Sequence, residues 1–489
     1  MKQVFLTILI LQLGFASFAQ NAFELIYGDP DNSEGIWQTI DHGGHYFAIG
    51  FKDFSSGSNG NERTMVFYKL DYSGNIISAA DFPKPDTAYF VTFCLPKTNG
   101  NLLCFSSLKH INNPLRGRHT YICEINPELE LVWEKTDSIV EDHPHASHWL
   151  KTFLLTHENE VIIQGVVDTT EYGNNNFLFF AKYDLEGNRL EYKSFINYKD
   201  RNLGSLMLNT DSSGFYLFGQ LTVEPTVRSW IEFDFAFNYL GSGVLETNYG
   251  PFWAPVSVSW LSTDNFITAN RFNVPETNDK GLEMRMYNPE KKLLKSTVVY
   301  HDKTIRIPEI RGMGFIDENF IWVATFEDIP PGFAGEENIR FFVFDNEINL
   351  KGSMTHEGDT RYWLWDLLAT NDTACLVSGF VAEYVGTNLT DNYIIKVRLD
   401  DVVTGINKQE RKAGATMEIW PVPAGETLHV KSNIDSELLV MNATGQQIGA
   451  HPIKKGYNLI TLTGLSPGIY LIAIRQNENI IETHKIIKK

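Results

Sequence analysis

The stretch MVFYKLDYSGN, Met65–Asn75, decides the fold because it ends an apolar strand on an acidic turn. Asp71 closes the strand, and Gly74 follows three positions later. An Asx side chain caps a tight turn by bonding to the backbone two residues on, and glycine is favoured near the end of such a turn. The stretch therefore predicts two antiparallel strands joined by an Asx turn.

The same turn recurs along the chain at intervals of roughly 50 to 60 residues, the pattern of a repeat array. The predicted caps are Asp71, Asn126, Asp184, Asn238, Asn288, Asp345 and Asp400, and Gly74, Gly187 and Gly241 lie three positions on in three copies. Apolar runs that follow a turn recur in phase, anchored at Tyr46, Asn101, Val161, Phe215, Phe266, Phe320 and Cys375. The Asx turns and the apolar runs each occur seven times, which indicates seven structural repeats.

Each repeat has room for four strands. In the first copy they are Ile36–Asp41, Tyr46–Phe51, Thr64–Leu70 and Ile76–Ala80. Such a unit repeated seven times predicts an all-β fold, a seven-bladed β-propeller over residues 20–405, because radial stacking removes exposed sheet edges. Phe23–Tyr27 is predicted to supply the outer strand of the last blade. Stacked β-sandwiches are the alternative, although they rarely keep so regular a period. The body resembles the degenerate propellers of secreted bacterial proteins.

Composition and the N-terminal residues indicate an exported, folded protein. Hydrophobic residues make up 43% and charged residues 21%, and the net charge of −19 repels phosphate backbones, so no nucleic-acid partner is expected. Lys2 precedes an apolar run, Val4–Leu13, and small residues follow at Ser17 and Ala19. This pattern predicts a signal peptide over residues 1–19. The run is shorter than the roughly 20 residues that span a bilayer, so no transmembrane segment is predicted.

The longest loops mark where a site is expected. Loops between second and third strands, such as SSGSNGNER and DIPPGFAGEEN, share one end of the predicted blades with the crossings between blades. Binding residues usually lie on loops held by a rigid scaffold. The crossing EDHPHASHW carries His143, His145 and His148, which could hold Zn²⁺ or Cu²⁺. A solvated histidine-rich loop explains the same residues and is the interpretation we prefer.

A second candidate site is aromatic. GPFWAP contains Trp253, and RYWLWD contains Arg361, Trp363 and Trp365, all assigned to crossings between blades. Tryptophan beside arginine suits stacking on a sugar or capture of a peptide, whereas packing between blades explains the same residues.

No catalytic signature is recognisable in the sequence: it has no G-x-S-x-G, H-E-x-x-H or P-loop motif. We therefore assign no catalytic residue and expect no cofactor. The predicted function is a non-enzymatic binding module for glycan or protein. The alternatives are a secreted hydrolase or lyase acting on polysaccharide or peptide from the long-loop end, and a spacer or surface-layer component without a small ligand.

Three of the four cysteines fall on the first, second and third strands predicted for the second blade. They are Cys94, Cys104 and Cys123. Antiparallel neighbours could bring one pair close enough to form a disulfide. Buried free thiols that pack as small apolar groups are the interpretation we prefer.

The C-terminal residues change character. Residues 406–416 are polar and predict a linker, and the alternating strands of residues 417–489 predict a small immunoglobulin-like β-sandwich. This segment resembles the type A C-terminal sorting domain of the type IX secretion system of Bacteroidetes. The matching positions are Pro421, Pro423, Gly445, Gly468 and Tyr470, whereas Val422 stands where the family usually has asparagine. An immunoglobulin-like adhesion domain is the alternative.

The resemblance implies a partner and a destination. It predicts recognition by the type IX secretion machinery at the outer membrane, after a signal peptide has taken the chain across the inner membrane. The mature protein is then expected to be secreted or attached to the surface of a Gram-negative cell of the Bacteroidetes type.

Overall fold

The structure, a computed structural model, is described for the following parts of the 489-residue chain. These are residues 22–29, 31–54, 62–111, 118–137, 147–168, 176–200, 204–211, 213–223, 226–246, 257–274, 279–301, 303–308, 310–327, 337–358, 360–382, 389–403, 417–420, 426–432, 434–442, 447–466, 468–476 and 479–488. The chain divides into two compact units, Met1–Val403 and Thr404–Lys489. Within the described ranges, no helix is long and apolar enough to cross a membrane. The predicted signal peptide (1–19) and linker (406–416) lie outside these ranges.

The N-terminal unit consists of consecutive four-stranded antiparallel meanders. The chain opens with β1 (Phe23–Tyr27). The first meander contains β2 (Asn32–His42), β3 (His45–Phe54), β4 (Glu62–Leu70) and β5 (Ile76–Phe82), and the second contains β6 (Thr87–Pro96), β7 (Leu102–His110), β8 (Arg118–Ile125) and β9 (Leu131–Asp137). The third contains β10 (Ser147–Leu155), β11 (Val161–Asp168), β12 (Asn176–Tyr183) and β13 (Arg189–Asp200), and the fourth contains β14 (Ser205–Leu208), β15 (Gly214–Val223), β16 (Thr226–Asp234) and β17 (Tyr239–Gly243).

The remaining meanders follow the same order with two departures. The fifth contains β18 (Ser257–Trp260), β19 (Phe266–Val274), β20 (Asp279–Tyr287) and β21 (Leu293–His301). In the sixth, β22 (Ile305–Arg306) and β23 (Met313–Gly314) share the place of the first strand, before β24 (Ile321–Glu327), β25 (Asn338–Phe344) and β26 (Leu350–Glu357). The last contains β27 (Arg361–Ala369), β28 (Cys375–Ala382) and β29 (Thr390–Val397), and α1 (Leu399–Val402) follows.

The fourth strand of the last meander comes from the other end of the unit. β1 pairs antiparallel with β29, and Leu25 lies opposite Ile394, which is the pairing that the sequence predicts for Phe23–Tyr27. One buried apolar cluster joins Ile36 of the first meander to Leu376 of the last. The last and first meanders therefore pack against each other although they are distant in sequence.

Apolar clusters also lie between meanders that are consecutive in the chain. In one of them Phe105 and Ile122 of the second meander pack with Phe179 of the third. Alternating side chains of each strand face the two neighbouring sheets, so the central strands are apolar on both faces. This explains why the strands read as apolar runs rather than as strict alternation.

The predicted Asx turns are present between third and fourth strands. In the third meander, Asp184 Oδ1 accepts the N–H groups of Glu186 at 3.0 Å and Asn188 at 2.7 Å. The residue three positions after each cap has a positive φ, at Gly74, Leu129, Gly187, Phe237, Lys291 and Ile348. The side chains of Leu129, Phe237 and Ile348 are buried.

Two of the seven predicted caps are wrong. In the fourth meander the cap is Asp234, which accepts the N–H of Asn238 at 2.7 Å, so Asn238 ends the turn instead of opening it. The left-handed residue there is Phe237, with φ 56°, and not Gly241. Asp400 lies in α1, because the chain leaves the last meander after its third strand and has no hairpin to close there.

The preference for buried free thiols is wrong for Cys94 and Cys104 and is confirmed for Cys123. Cys94, Cys104 and Cys123 lie opposite one another on β6, β7 and β8, as the strand assignment predicts. Cys94 and Cys104 form a disulfide, whereas Cys123 and Cys375 are buried free thiols. Burial raises the pKa of the Cys123 thiol to about 12. Cys104 faces both Cys94 and Cys123, and it bonds to Cys94.

The C-terminal unit has two antiparallel sheets around one apolar core. One contains β30 (Met417–Trp420), β31 (Thr427–Ser432) and β34 (Gly456–Thr461), and the other contains β32 (Ser436–Asn442), β33 (Gln447–Ile453), β35 (Gly468–Gln476) and β36 (Asn479–Lys488). Leu428 and Val430 from the first sheet meet Leu438, Ile472 and Ile486 from the second. This core is separate from those of the N-terminal unit.

Candidate functional site

The first strand of the sixth meander is interrupted by residues 307–312, here called the crossing segment; residue 309 lies outside the described ranges. Pro308 has no N–H for a sheet ladder, which explains the interruption. Ile310 donates its N–H to the carbonyl of Trp365 at 2.7 Å. Its side chain packs against the apolar clusters of the first, second and third meanders. The crossing segment therefore lies against the last meander and against apolar clusters that the first, second and third meanders share.

Arg311 fixes the crossing segment to the last and first meanders. Its Nε and Nη2 donate to the two oxygens of Asp366 at 2.6 and 2.7 Å, and Nη2 also donates to the carbonyl of Thr39 at 2.9 Å. Asp366 is fully buried and also accepts the backbone N–H of Thr39 at 2.8 Å. Burial lowers the pKa of Arg311, but Asp366 more than offsets this and raises it above its usual value. Both oxygens of Asp366 are therefore engaged in a structural ion pair.

Two β-bulges repeat the same contact between meanders. The register shifts at Trp365 in β27 and at Trp37 in β2, and a polar residue follows each bulge. Asp366 accepts a backbone N–H from β2, and Gln38 accepts the N–H of Cys94 in β6 at 2.7 Å. Each bulge therefore directs a polar side chain to the first strand of the next meander.

Seven aromatic rings and two guanidinium groups form a continuous series of contacts, here called the aromatic belt. Its members are Arg306, Trp363, Phe380, Trp365, Trp37, Phe51, Arg63, Phe90 and Trp149. Where two rings are in direct contact, their centroids lie between 5.1 and 6.2 Å apart. Most members lie where first strands begin and second strands end, which is the end that carries the long loops. The belt extends over the sixth, last, first, second and third meanders.

The two guanidinium groups lie on ring faces. The Arg306 guanidinium carbon is 4.2 Å from the centroid of Trp363. That of Arg63 lies 4.3 Å from the Phe51 centroid and 5.2 Å from the Phe90 centroid, so it joins the first meander to the second. Arg63 also donates to both oxygens of Asp53 at 2.6 Å each. Stacking on a ring and a bidentate carboxylate together hold a planar cation in one orientation.

The belt is not uniformly accessible. Trp37 and Phe51 are 2% and 5% exposed, whereas the other rings are only partly buried. Two partly exposed patches therefore lie on either side of a buried pair: Trp363, Phe380 and Trp365 form the first patch, and Phe90 and Trp149 form the second. Ring faces supply apolar contact, and guanidinium N–H groups can donate to hydroxyl or carbonyl oxygens.

The structure brings part of the predicted aromatic site together. Trp363 is a belt member, and Arg361 lies two residues earlier on the same strand, 3.7 Å from a carboxylate oxygen of buried Glu337. The sequence assigns both residues to a crossing between blades. The structure places them within β27 instead. Trp253 lies outside the described residues.

The predicted metal site falls largely outside the described ranges. His143 and His145 are not among the described residues, and only the backbone of His148 is, opposite Val167 in the β10–β11 pair. Within the part of the chain that the structure describes, no group of three His, Cys, Asp or Glu side chains could hold a metal ion.

Sequence reasoning missed most of the belt, including Trp37, Phe51 and Phe380 and both of its arginines. One signal was readable. Trp37-Gln38 and Trp365-Asp366 are tryptophan-polar pairs at equivalent positions of the first strands. An alignment of the first strands of all repeats, like the alignment of the turns, reveals that Trp37 and Trp365 occupy equivalent positions.

In the C-terminal unit, the predicted sorting residues Gly468 and Tyr470 are described. Gly468 begins β35, and buried Tyr470 donates its hydroxyl to the carbonyl of Ser466 at 2.7 Å. Pro421, Pro423 and Gly445 lie outside the described residues. Residues 418–489 match the family model described as "Secretion system C-terminal sorting domain". The C-terminal unit is a type IX secretion sorting domain.

The sorting domain implies interaction with the secretion machinery and export to the cell surface or beyond. A comparison with curated proteins found no match. The chain is similar to the phage phi92 endosialidase at 9% identity and a TM-score of 0.41, covering 95% of this chain and 87% of that one. It is similar to the WD40 domain of Toxoplasma gondii coronin at 9% identity and a TM-score of 0.38, covering 78% and 89%.

A further similar structure is the GH93 alpha-L-arabinofuranosidase of Fusarium graminearum with arabinobiose. The identity is 11%, the TM-score is 0.38, and the match covers 78% of this chain and 99% of that chain.

Proposed function

We propose that the N-terminal unit is a closed seven-bladed β-propeller. The pairing of β1 with β29, the shared core of the last and first meanders, and the ion pair between Arg311 and Asp366 support a closed ring. In this proposal residues 1–19 are a signal peptide, 20–405 the propeller and 406–416 a linker. Residues 417–489, the sorting domain, have an immunoglobulin-like sandwich fold. The mature chain is secreted or surface-attached on a cell of the Bacteroidetes type.

We further propose that the propeller binds extracellular carbohydrate at its long-loop end and does not catalyse a reaction. The aromatic belt carries this proposal. Ligand sites combine apolar and aromatic walls with a few fixed polar groups, and the two partly exposed ring patches with Arg306 and Arg63 have that composition. Sugar rings present apolar C–H faces to aromatic rings and hydroxyl groups to guanidinium donors.

The Asp366 carboxylate, which lies next to the belt residue Trp365, is not available for hydrolysis. Cleavage of a glycosidic bond commonly uses two carboxyl groups that face the bond, one as acid and one as base or nucleophile. Asp366 is fully buried, and its two oxygens already accept hydrogen bonds from Arg311 and Thr39. This carboxylate therefore holds the crossing segment in place and is not available to a substrate.

The test is a glycan-array measurement on the complete mature chain, followed by titration of the best ligand. We expect Trp363→Ala and Arg306→Ala each to weaken binding about tenfold, which corresponds to about 1.4 kcal/mol. Lys135→Ala is the matched control, because Lys135 lies 5.0 Å from the Trp133 ring and outside the belt. Release of reducing sugar from the ligand, or binding of a protein but no glycan, would show that the proposal is wrong.

A further inference from the structure

We propose that the belt recognises an uncharged, linear polysaccharide. This inference rests on the proposed carbohydrate binding and narrows it to one ligand class. It comes from the charges beside the belt and from the belt's length.

Arg63 of the belt and Arg361 beside it are already matched by buried carboxylates. Arg63 has a bidentate pair with Asp53, and Arg361 lies 3.7 Å from Glu337. Asp53 and Glu337 are 7% and 1% exposed, so their charges act on the paired arginines with little screening by water.

Two further cations near the belt, Arg311 and Lys303, are paired as well. Arg311 is paired with fully buried Asp366, and Lys303, close to Arg306 in sequence, donates to Glu327 at 2.6 Å. A carboxylate or sulfate group on a ligand would therefore compete with a protein carboxylate at each of these cations. The chain's net charge of −19 adds a repulsion that acts over longer distances. An acidic polymer thus gains little at these four cations.

A neutral sugar chain gains from the same arrangement. Paired guanidinium groups keep N–H donors that a carboxylate does not use, because guanidinium has five. These donors suit hydroxyl oxygens, which carry no charge to be repelled. The ring faces of Trp363 and Trp149 add apolar contact area.

The length of the belt favours a chain over a single sugar. Its two partly exposed patches belong to different meanders, the last on one side and the second and third on the other, with buried Trp37 and Phe51 between them. One sugar unit can cover one patch. A linear polymer can cover both, and each patch then raises the effective concentration of the ligand at the other.

The test compares neutral and acidic polymers with the complete mature chain. Affinity electrophoresis is run against laminarin, pullulan, galactomannan and arabinan, and against polygalacturonate, alginate and hyaluronan, at about 50 and about 500 mM NaCl, which differ severalfold in Debye length. We expect binding to at least one neutral polymer, with an affinity that changes less than about twofold between the two salt concentrations.

Two variants test the role of charge pairing. Asp53→Asn leaves Arg63 without its carboxylate at nearly unchanged volume, and we expect it to gain salt-sensitive binding to an acidic polymer. Asp184→Asn is the matched control: it changes the same charge in an Asx turn at the other end, where Asn126 shows that asparagine is accepted. Circular dichroism of each variant checks that it is folded.

The outcomes separate the two proposals. If the wild-type chain binds an acidic polymer and loses about tenfold or more of its affinity at the higher salt concentration, the neutral-ligand inference is overturned while carbohydrate binding stands. If neither polymer class binds, carbohydrate binding itself is overturned. Salt-insensitive binding of a neutral polymer, together with new acidic binding by Asp53→Asn, supports both.

Discussion

Replacing Asp366 with alanine removes the carboxylate that joins the crossing segment to the last and first meanders. It leaves Arg311 without its carboxylate partner and the Thr39 N–H without an acceptor. Breaking a buried ion pair typically costs about 3–5 kcal/mol. Because 38% of the Arg311 side chain is exposed, water can replace part of the lost bonding. We therefore expect a loss of about 2–4 kcal/mol in the free energy of unfolding.

The measurement is urea unfolding of the mature chain, followed by tryptophan fluorescence. Asp366→Ala, Arg311→Ala and the double variant form a double-mutant cycle, which isolates the energy that couples the two residues. We expect coupling of about 1 kcal/mol or more. The matched control is the cycle of Arg189 and Asp137, whose 3.2 Å pair is partly exposed on both sides and should couple by about 0–1 kcal/mol.

The result that refutes this reasoning is specific. If the Arg311–Asp366 coupling is no larger than that of the control pair, the crossing segment is held by the packing of Ile310 and by its backbone hydrogen bonds rather than by the ion pair. If Asp366→Ala leaves the free energy of unfolding unchanged within about 0.5 kcal/mol, the buried ion pair has no role in stability.

Three further predictions concern stability. Cys94→Ser removes the disulfide to Cys104, which spans a sequence separation of 10 residues, and should lower the free energy of unfolding by about 3 kcal/mol. For Glu124, burial raises the pKa, but hydrogen bonds, first from Lys97, lower it to about 2. Its stabilisation is therefore complete above the usual pKa near 4.5 and is lost as the pH falls toward 2, by about 3 kcal/mol in acid unfolding. Gly74→Ala should destabilise the fold, because a Cβ there would lie 2.5 Å from Phe23 of β1.

Each of these predictions has a control. Cys123→Ser alters a buried free thiol next to the disulfide. In this variant Cys94 should stay disulfide-bonded and therefore protected from alkylation. Glu124→Gln should remove the part of the unfolding free energy that is lost at low pH. Glu128→Gln, which changes an exposed side chain, should keep it. Equal pH profiles of the two variants would contradict the hydrogen bonds assigned to Glu124. Gly43 has φ 58° and no heavy atom within 4 Å of a built Cβ, so Gly43→Ala tests backbone strain alone. If both glycine variants lose the same stability, contact with β1 is not the cause.

The turn caps show which parts of the fold are readable in the sequence. Asp71 and Asp184 form the predicted turns because an Asx side chain bonds to its own backbone, which is a local interaction. The pairing of β1 with β29 was also predictable, because an apolar strand without a local partner must pair elsewhere. The sequence predicts the fourth cap at Asn238, which has Gly241 three positions later, whereas the cap is Asp234 and the left-handed residue is Phe237.

The aromatic belt was only partly predictable because its contacts join strands distant in sequence. Arg63 reaches Phe90, and Trp37 meets Trp365, only once the meanders pack. Pro308 in an apolar run is a local indication that the first strand of the sixth meander is interrupted. No local pattern specifies that Arg311 pairs with Asp366.

The left-handed turn residues have a practical consequence for anyone who wishes to stabilise this protein by averaging its repeats. A consensus sequence would write glycine at all six positions, since Gly74 and Gly187 already occupy two of them. At Phe237 and Ile348 that change would relieve about 1–3 kcal/mol of backbone strain but would forfeit a fully buried side chain worth about 1.5–3 kcal/mol, besides leaving a void. A uniform glycine at these turns would thus destabilise the protein at the two repeats where the turn residue is a fully buried side chain.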